Sequence, residues 1–160
     1  MRTLLKQHIN LFKVYLFALF LFSIFRFIYL IRFGEAGISS QYLSDIFAAF
    51  ITGIRFDTQV ICYSFVFPFV LNFFHLFIKS KYQKYLVYFS KIYTIVVLSL
   101  LVLILLIDQQ FYTYFQSHIN ILVYGFLEDD TQAVLASVWS DHPVVLLLAV
   151  FLILVFLIVK

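Results

Sequence analysis

The sequence predicts an all-α integral membrane protein, a polytopic bundle of four transmembrane helices with additional amphipathic helices at the membrane interface. Of its 160 residues, 64% are hydrophobic and only 12% are charged. A soluble domain is about 45–50% apolar and about 25% charged, so this chain has too few polar residues to cover a soluble surface. Disordered chains are poor in aromatic residues, whereas 21% of this chain is aromatic. Both classes are therefore excluded.

Four apolar segments are candidates for membrane spans, since a transmembrane helix needs about 20 mostly apolar residues. The first is too long for the core of a signal peptide and lacks a small-residue cleavage site, so it is expected to be a retained anchor. The last follows Pro143, with Ser140 or Asp141 as its N-cap. The predicted spans are residues 11–31, 60–78, 92–107 and 144–159.

Residues 41–56, between the first two spans, carry an amphipathic pattern. Their large apolar side chains recur at helical spacing, and the opposite face holds small and polar residues. Such a helix suits the membrane interface or close packing against another helix. The competing interpretation makes this segment a full span, with a tight turn from Arg55 to Asp57 and five spans in total.

The distribution of charge predicts the orientation of the chain. Lysine and arginine residues precede the first span and return in the loop at 79–91, whereas residues 108–142 contain none and carry acidic residues instead. Under the positive-inside rule, the N-terminus is cytoplasmic and segment 108–143 faces outward. If the N-terminus and the basic loop at 79–91 are both cytoplasmic, the chain crosses the membrane once, in net terms, between residues 32 and 78. That requirement favours four spans. The orientation also explains the basic excess, so no nucleic-acid partner is predicted.

Three ionisable residues fall at or near membrane depth, where such groups are costly: Arg26, Arg55 and Asp57. One interpretation is a site for an anionic lipid headgroup or a conduction path, for which Arg55 and Asp57 are the candidate residues. The other is structural. In it Arg26 extends to the interface, while Arg55 and Asp57 pair with each other at a helix junction.

The outward segment begins with an unusual aromatic stretch directly after the third span. We expect a helix in the outer headgroup layer, with Phe111, Phe115, His118 and Leu122 on one face. A short helix over residues 131–139, capped by Asp130, is expected to follow. The residues of the stretch that we expect to contact lipid are Tyr112, Tyr114, Phe115 and His118.

No catalytic residue, metal ligand or cofactor site is predicted in this chain. Cys62 is the single cysteine, so neither an internal disulfide nor a cysteine metal cluster can form. No two histidines stand three or four residues apart, and neither a nucleophile elbow nor a phosphate-binding glycine loop occurs.

Three short patches resemble the N-terminal membrane region of the lipoteichoic acid synthase family, the phosphoglycerol transferases of the sulfatase/alkaline phosphatase superfamily. They are GIRFD at 53–57, DQQFYTYF at 108–115 and HIN at 118–120. The order of elements is also similar, with an anchor, a second helix, a basic loop, a third helix, a long aromatic outward segment and a further helix. The resemblance covers most of the chain.

The resemblance implies a bacterial cytoplasmic (inner) membrane and a membrane domain that positions phospholipid, with phosphatidylglycerol as the expected lipid partner. It implies about five N-terminal helices and an extracytoplasmic catalytic domain with a threonine nucleophile and a divalent metal, usually Mn²⁺. That domain transfers glycerol phosphate, or phosphoethanolamine in close relatives. It would follow Lys160, so we expect the chain to be a fragment without the catalytic domain.

The alternative is a non-enzymatic function. In this interpretation the chain is a small membrane subunit or assembly factor whose outward acidic segment docks a partner protein. The acidic residues of that segment are Asp108, Glu128, Asp129, Asp130 and Asp141. The coding sequence downstream of residue 160 distinguishes the two interpretations, because only the first expects a hydrolase-like domain there.

Overall fold

The computed structural model describes residues 2–34, 42–74, 77–78, 80–121, 136, 138–140 and 143–159. Within these residues the long elements are four helices, and there is no β-strand. Helix α1 is Arg2–Phe33, α2 is Leu43–Phe74, α3 is Ser80–Phe115 and α4 is Val144–Val159. The all-helical prediction is confirmed for this part of the chain.

Three of the helices are long and apolar enough to cross a membrane. The qualifying stretches are His8–Phe33, Leu43–Phe74 and Lys81–Phe115. With a rise of about 1.5 Å per residue, α3 extends over roughly 54 Å, well beyond the roughly 30 Å hydrocarbon core of a bilayer. Helix α4 has the predicted bounds, but its 16 residues are fewer than the usual span, so its crossing stays a prediction.

Helix α2 differs from the sequence prediction. An interfacial helix at 41–56 and a separate span at 60–78 were expected, but one helix runs from Leu43 to Phe74. No proline or glycine interrupts residues 54–67, so nothing in the local sequence forces a turn there. The polar residues that suggested a boundary lie within the helix, and Asp57 is buried. One continuous helix is compatible with the single crossing that the charge distribution required.

Helices α1 and α2 pack together through a mixture of apolar, small and polar side chains. Buried residues recur about every four positions along α2, including Gly53, Asp57, Ile61 and Phe65. Other large apolar side chains face outward, as with Phe47, which is 68% exposed. An apolar outer surface with small and polar residues among the buried ones suits helices surrounded by hydrocarbon, where close contacts use such residues.

The chain divides into two compact units, Met1–Val97 and Leu98–Lys160. In the first unit, the ring of Phe67 on α2 contacts Phe89 and Tyr93 on α3, with centroids 6.1 and 5.0 Å away. In the second unit, the part of α3 from Leu98 onward buries a line of side chains spaced about four residues apart. They are Leu98, Val102 and Leu106.

Candidate functional site

An ion pair joins α1 to α2. Nη2 of Arg26 donates hydrogen bonds to both carboxylate oxygens of Asp57 at 2.9 Å. The side chains are 26% and 12% exposed, respectively. Because both residues lie within apolar stretches that could cross a membrane, each charge reduces the cost of placing the other there.

Two further residues of α2 complete the surroundings of Arg26. Gly53 leaves the space that the guanidinium occupies, since a Cβ atom at this position would overlap its central carbon. The guanidinium carbon also lies 5.9 Å from the ring centroid of Phe50, which is within the range of a cation–π contact. Nη1 of Arg26 is buried, and the described residues offer it no hydrogen-bond partner.

The predicted pairing of Arg55 with Asp57 is wrong. Residues two apart on a continuous helix point about 200° away from each other, so the two side chains cannot meet on α2. Asp57 pairs with Arg26 instead, and Arg55 lies on the exposed surface. The carboxylate of Asp57 therefore binds Arg26 within the helix pair. The predicted role of Arg55 in lipid binding stays a prediction.

A second site forms where α3 ends. The backbone N–H of Gln116 donates to the carbonyl of Tyr112 at 2.9 Å, and Gln116 has a positive φ of 49°. Gln116 therefore has a left-handed backbone conformation and ends the helix at the position that glycine usually takes. The chain then turns back, so that residues 117–120 lie beside the last turns of α3.

Asp108 fastens this turn. One carboxylate oxygen accepts the backbone N–H of Ile119 at 2.7 Å, and the other lies 2.8 Å from Nδ1 of His118. An ionised carboxylate only accepts hydrogen bonds, so Nδ1 is the donor and Nε2 of the neutral ring is an acceptor. We call Asp108, His118 and Ile119 the tether. It fixes the orientation of the imidazole, as carboxylates commonly do for functional histidines.

Aromatic side chains surround the tether. The rings of Phe111 and Phe115 stack with centroids 4.5 Å apart, and the ring of Tyr112 lies 5.3 Å from that of His118. Tyr114 and Phe115 are 57% and 40% exposed. The structure thus brings the predicted residues Tyr112, Tyr114, Phe115 and His118 together at one helix end.

The local structure of this stretch differs from the prediction in one respect. A helical face shared by Phe111, Phe115 and His118 was expected, but the helix ends at Phe115 and His118 lies in the following turn. Phe111 and Phe115 share a face of α3, and His118 reaches the aromatic group through Asp108. The structure does not describe Leu122 or the acidic residues 128–130. Most of the predicted helix at 131–139, with its Asp130 cap, also lies outside the described residues.

Searches of protein-family models, curated proteins and solved structures gave no match. The functional interpretation therefore depends on the patterns of the sequence and on the two sites. Among the described residues, no group of three or more histidine, cysteine or acidic side chains could hold a metal ion.

Two relationships escaped the sequence analysis, the pairing of Arg26 with Asp57 and the role of Asp108 as an anchor. A signal existed for the first, because Gly53, Asp57, Ile61 and Phe65 fall on one helical face if α2 is continuous. For the second, the separation of ten positions between Asp108 and His118 matches no helical spacing. Only the turn at Gln116 brings those two side chains together.

Proposed function

We propose that this chain is the membrane anchor and lipid-positioning part of an extracytoplasmic transferase of phospholipid headgroups. It would act in a bacterial cytoplasmic membrane with its N-terminus in the cytoplasm. The transferred group is phosphoglycerol or phosphoethanolamine, and the catalytic groups come from a domain outside these 160 residues. The observation that carries the proposal is the tether at the end of α3, because it holds His118 beside the ring of Tyr112 at the helix end that also carries the exposed rings of Tyr114 and Phe115.

The depth of this site suits a headgroup. Aromatic residues are enriched at the level of lipid headgroups, where one side of the ring is apolar and the other is wet. The last turns of α3 from Asp108 to Phe115 follow an apolar run that is itself long enough to cross the hydrocarbon core. Tyr114 and Phe115 would then contact the upper acyl and glycerol region of a lipid in the outer leaflet.

The polar groups at this site indicate which headgroups it prefers. Residues 108–142 contain no lysine or arginine, so a phosphate would find no cationic partner from this segment. When its ring is neutral and Nδ1 donates to Asp108, Nε2 of His118 can accept a hydrogen bond, and tyrosine hydroxyls both donate and accept. Such a site suits a headgroup with donors, such as the hydroxyls of phosphatidylglycerol or the ammonium of phosphatidylethanolamine. Phosphatidylcholine, whose headgroup has no donor, should bind less well.

The test measures binding of short-chain phosphatidylglycerol to the purified full chain in detergent, by native mass spectrometry. His118→Ala should weaken binding about threefold to tenfold, since a neutral hydrogen bond contributes roughly 0.5–1.5 kcal/mol. Phe115→Ala should weaken it by a similar factor, because it removes apolar surface that would contact the lipid. Tyr88→Ala is the matched control, because Tyr88 is an exposed aromatic residue of α3 at a distance from the tether. If the His118 and Phe115 variants bind like Tyr88→Ala, the lipid site is not at the end of α3.

A further inference from the structure

An apolar cavity lies between α1 and α2, away from the ion pair. Its volume is about 310 Å³, and the residues that line it include His8, Phe12 and Tyr15 from α1 and Ile61, Cys62 and Phe65 from α2. All of these belong to the first compact unit, and none of them is a residue of the tether.

Both ends of the cavity are defined by contacts between the helices. Toward the ion pair, the hydroxyl of Tyr15 lies 3.1 Å from Oγ1 of Thr58, a hydrogen bond between α1 and α2. Toward the start of α1, the ring of His8 meets Phe69 edge-on, with centroids 5.5 Å apart. The cavity is therefore an elongated space that runs along the helix pair for about two turns of α1.

The charge near the His8 end is positive. Residues 1–13 include three basic residues, Arg2, Lys6 and Lys13, and no acidic residue. Lys13 is exposed, and helical side chains lean toward the N-terminus of their helix. Its ammonium group therefore extends toward the level of His8, where it would meet a negatively charged group at the membrane surface.

We propose that this cavity binds one acyl chain of an anionic phospholipid, with the headgroup beside His8 and Lys13. The cavity lies within stretches that could cross a membrane, so its surroundings would be hydrocarbon. A purely apolar space does not attract water, and a partner helix about 10 Å wide is too thick for it. A single hydrocarbon chain matches both the shape and the lining. This lipid site does not depend on the headgroup site proposed at α3.

The experiment places a tryptophan reporter in the cavity. Trp139, the single tryptophan of the chain, is replaced by phenylalanine, and Phe12→Trp is introduced. The chain is reconstituted in phosphatidylcholine bilayers that contain a small fraction of lipid brominated on its acyl chains, which quenches tryptophan on contact. We expect the two lipids to need different amounts for equal quenching of the reporter. About five times more brominated phosphatidylcholine than brominated phosphatidylglycerol should be required. That ratio corresponds to roughly 1 kcal/mol for one basic residue near an anionic headgroup.

Three further variants test the position and cause of the quenching. Tyr63→Trp is the matched control, because Tyr63 is 80% exposed on α2 and does not line the cavity. It should be quenched equally by both lipids. Cys62→Phe fills the cavity and should reduce quenching of the Phe12→Trp reporter to the level of this control. Lys13→Gln should leave quenching in place but remove the preference for phosphatidylglycerol.

Equal quenching of Phe12→Trp by the two lipids would overturn the proposal, as would undiminished quenching after Cys62→Phe. Neither result bears on His118 or Phe115, because the reporter senses only the α1–α2 pair. The two lipid sites therefore stand or fall separately.

Discussion

At the level of single residues, the ion pair between Arg26 and Asp57 lowers the free-energy cost of placing each charge in an apolar environment. A lone charge at the centre of a membrane helix costs about 2.5–3.5 kcal/mol on insertion scales. Here one guanidinium nitrogen donates to both carboxylate oxygens at 2.9 Å, which offsets much of that insertion cost. If either residue were removed, the charge of the other would bear the full cost. The pair therefore selects one arrangement of α1 against α2 more than it adds to stability.

Removing one member of the pair should destabilise the helix pair strongly. We expect Asp57→Leu or Arg26→Leu to lower the free energy of unfolding by about 3–5 kcal/mol, the usual effect of leaving a buried charge unpaired. The double variant Arg26→Leu with Asp57→Leu should recover most of that loss. Reversible unfolding in mixed micelles, analysed as a double-mutant cycle, measures the coupling. Strictly additive effects would mean that the two charges do not interact.

Gly53 is required because the guanidinium lies against its backbone. A methyl group at this position overlaps Arg26, so Gly53→Ala should destabilise the chain by roughly 1–3 kcal/mol, as overpacking usually does. Thr52→Ala is the control, since Thr52 is exposed on the same helix turn. In the Arg26→Leu, Asp57→Leu background the same glycine substitution should cost little, because no guanidinium then lies against position 53. Thermal unfolding followed by size-exclusion chromatography provides the measurement.

At the level of elements, the helices could be predicted where composition alone decides them. Helix α4 has the bounds expected from its unbroken apolar run, and the predicted first span lies inside α1. Helix α2 could not be predicted from its polarity, because Asp57 marks a boundary only if it faces solvent. Its burial depends on a partner 31 residues away, and no local pattern contains that information.

The end of α3 is an element whose structure depends on one side chain. Asp108→Ala removes the acceptor for both His118 and the Ile119 amide, so the turn should detach from the helix. A nitroxide attached at Ser117→Cys, in a Cys62→Ser background, should become distinctly more mobile in its paramagnetic resonance spectrum. Asp45→Ala, at an exposed acidic residue of α2, should leave the spectrum unchanged. An immobile label in Asp108→Ala would show that other contacts hold the turn.

At the level of the whole molecule, the segregation of charge makes a prediction about sidedness. In a cysteine-free background, Gln83→Cys lies in the basic part of the chain and Leu127→Cys lies in the segment without lysine or arginine. A membrane-impermeant maleimide added from outside should label only position 127, because positive loops are retained in the cytoplasm. Labelling at position 83 alone would instead favour the five-span arrangement, because an additional crossing before residue 78 places both segments on the opposite sides. Permeabilised membranes, in which both sites should react, provide the control.

The pairing of Arg26 with Asp57 also has a consequence for biogenesis. The ribosome delivers α1 first, and Asp57 is synthesised 31 residues after Arg26, about 2–6 s later at typical elongation rates. During that interval Arg26 has no counter-charge on α1, which contains no acidic residue. The first helix should therefore remain at the translocon until the second emerges, and the two should enter the bilayer as a hairpin. The charge of Arg26, which stabilises the helix pair in the finished protein, would thus delay release of α1 into the bilayer during synthesis.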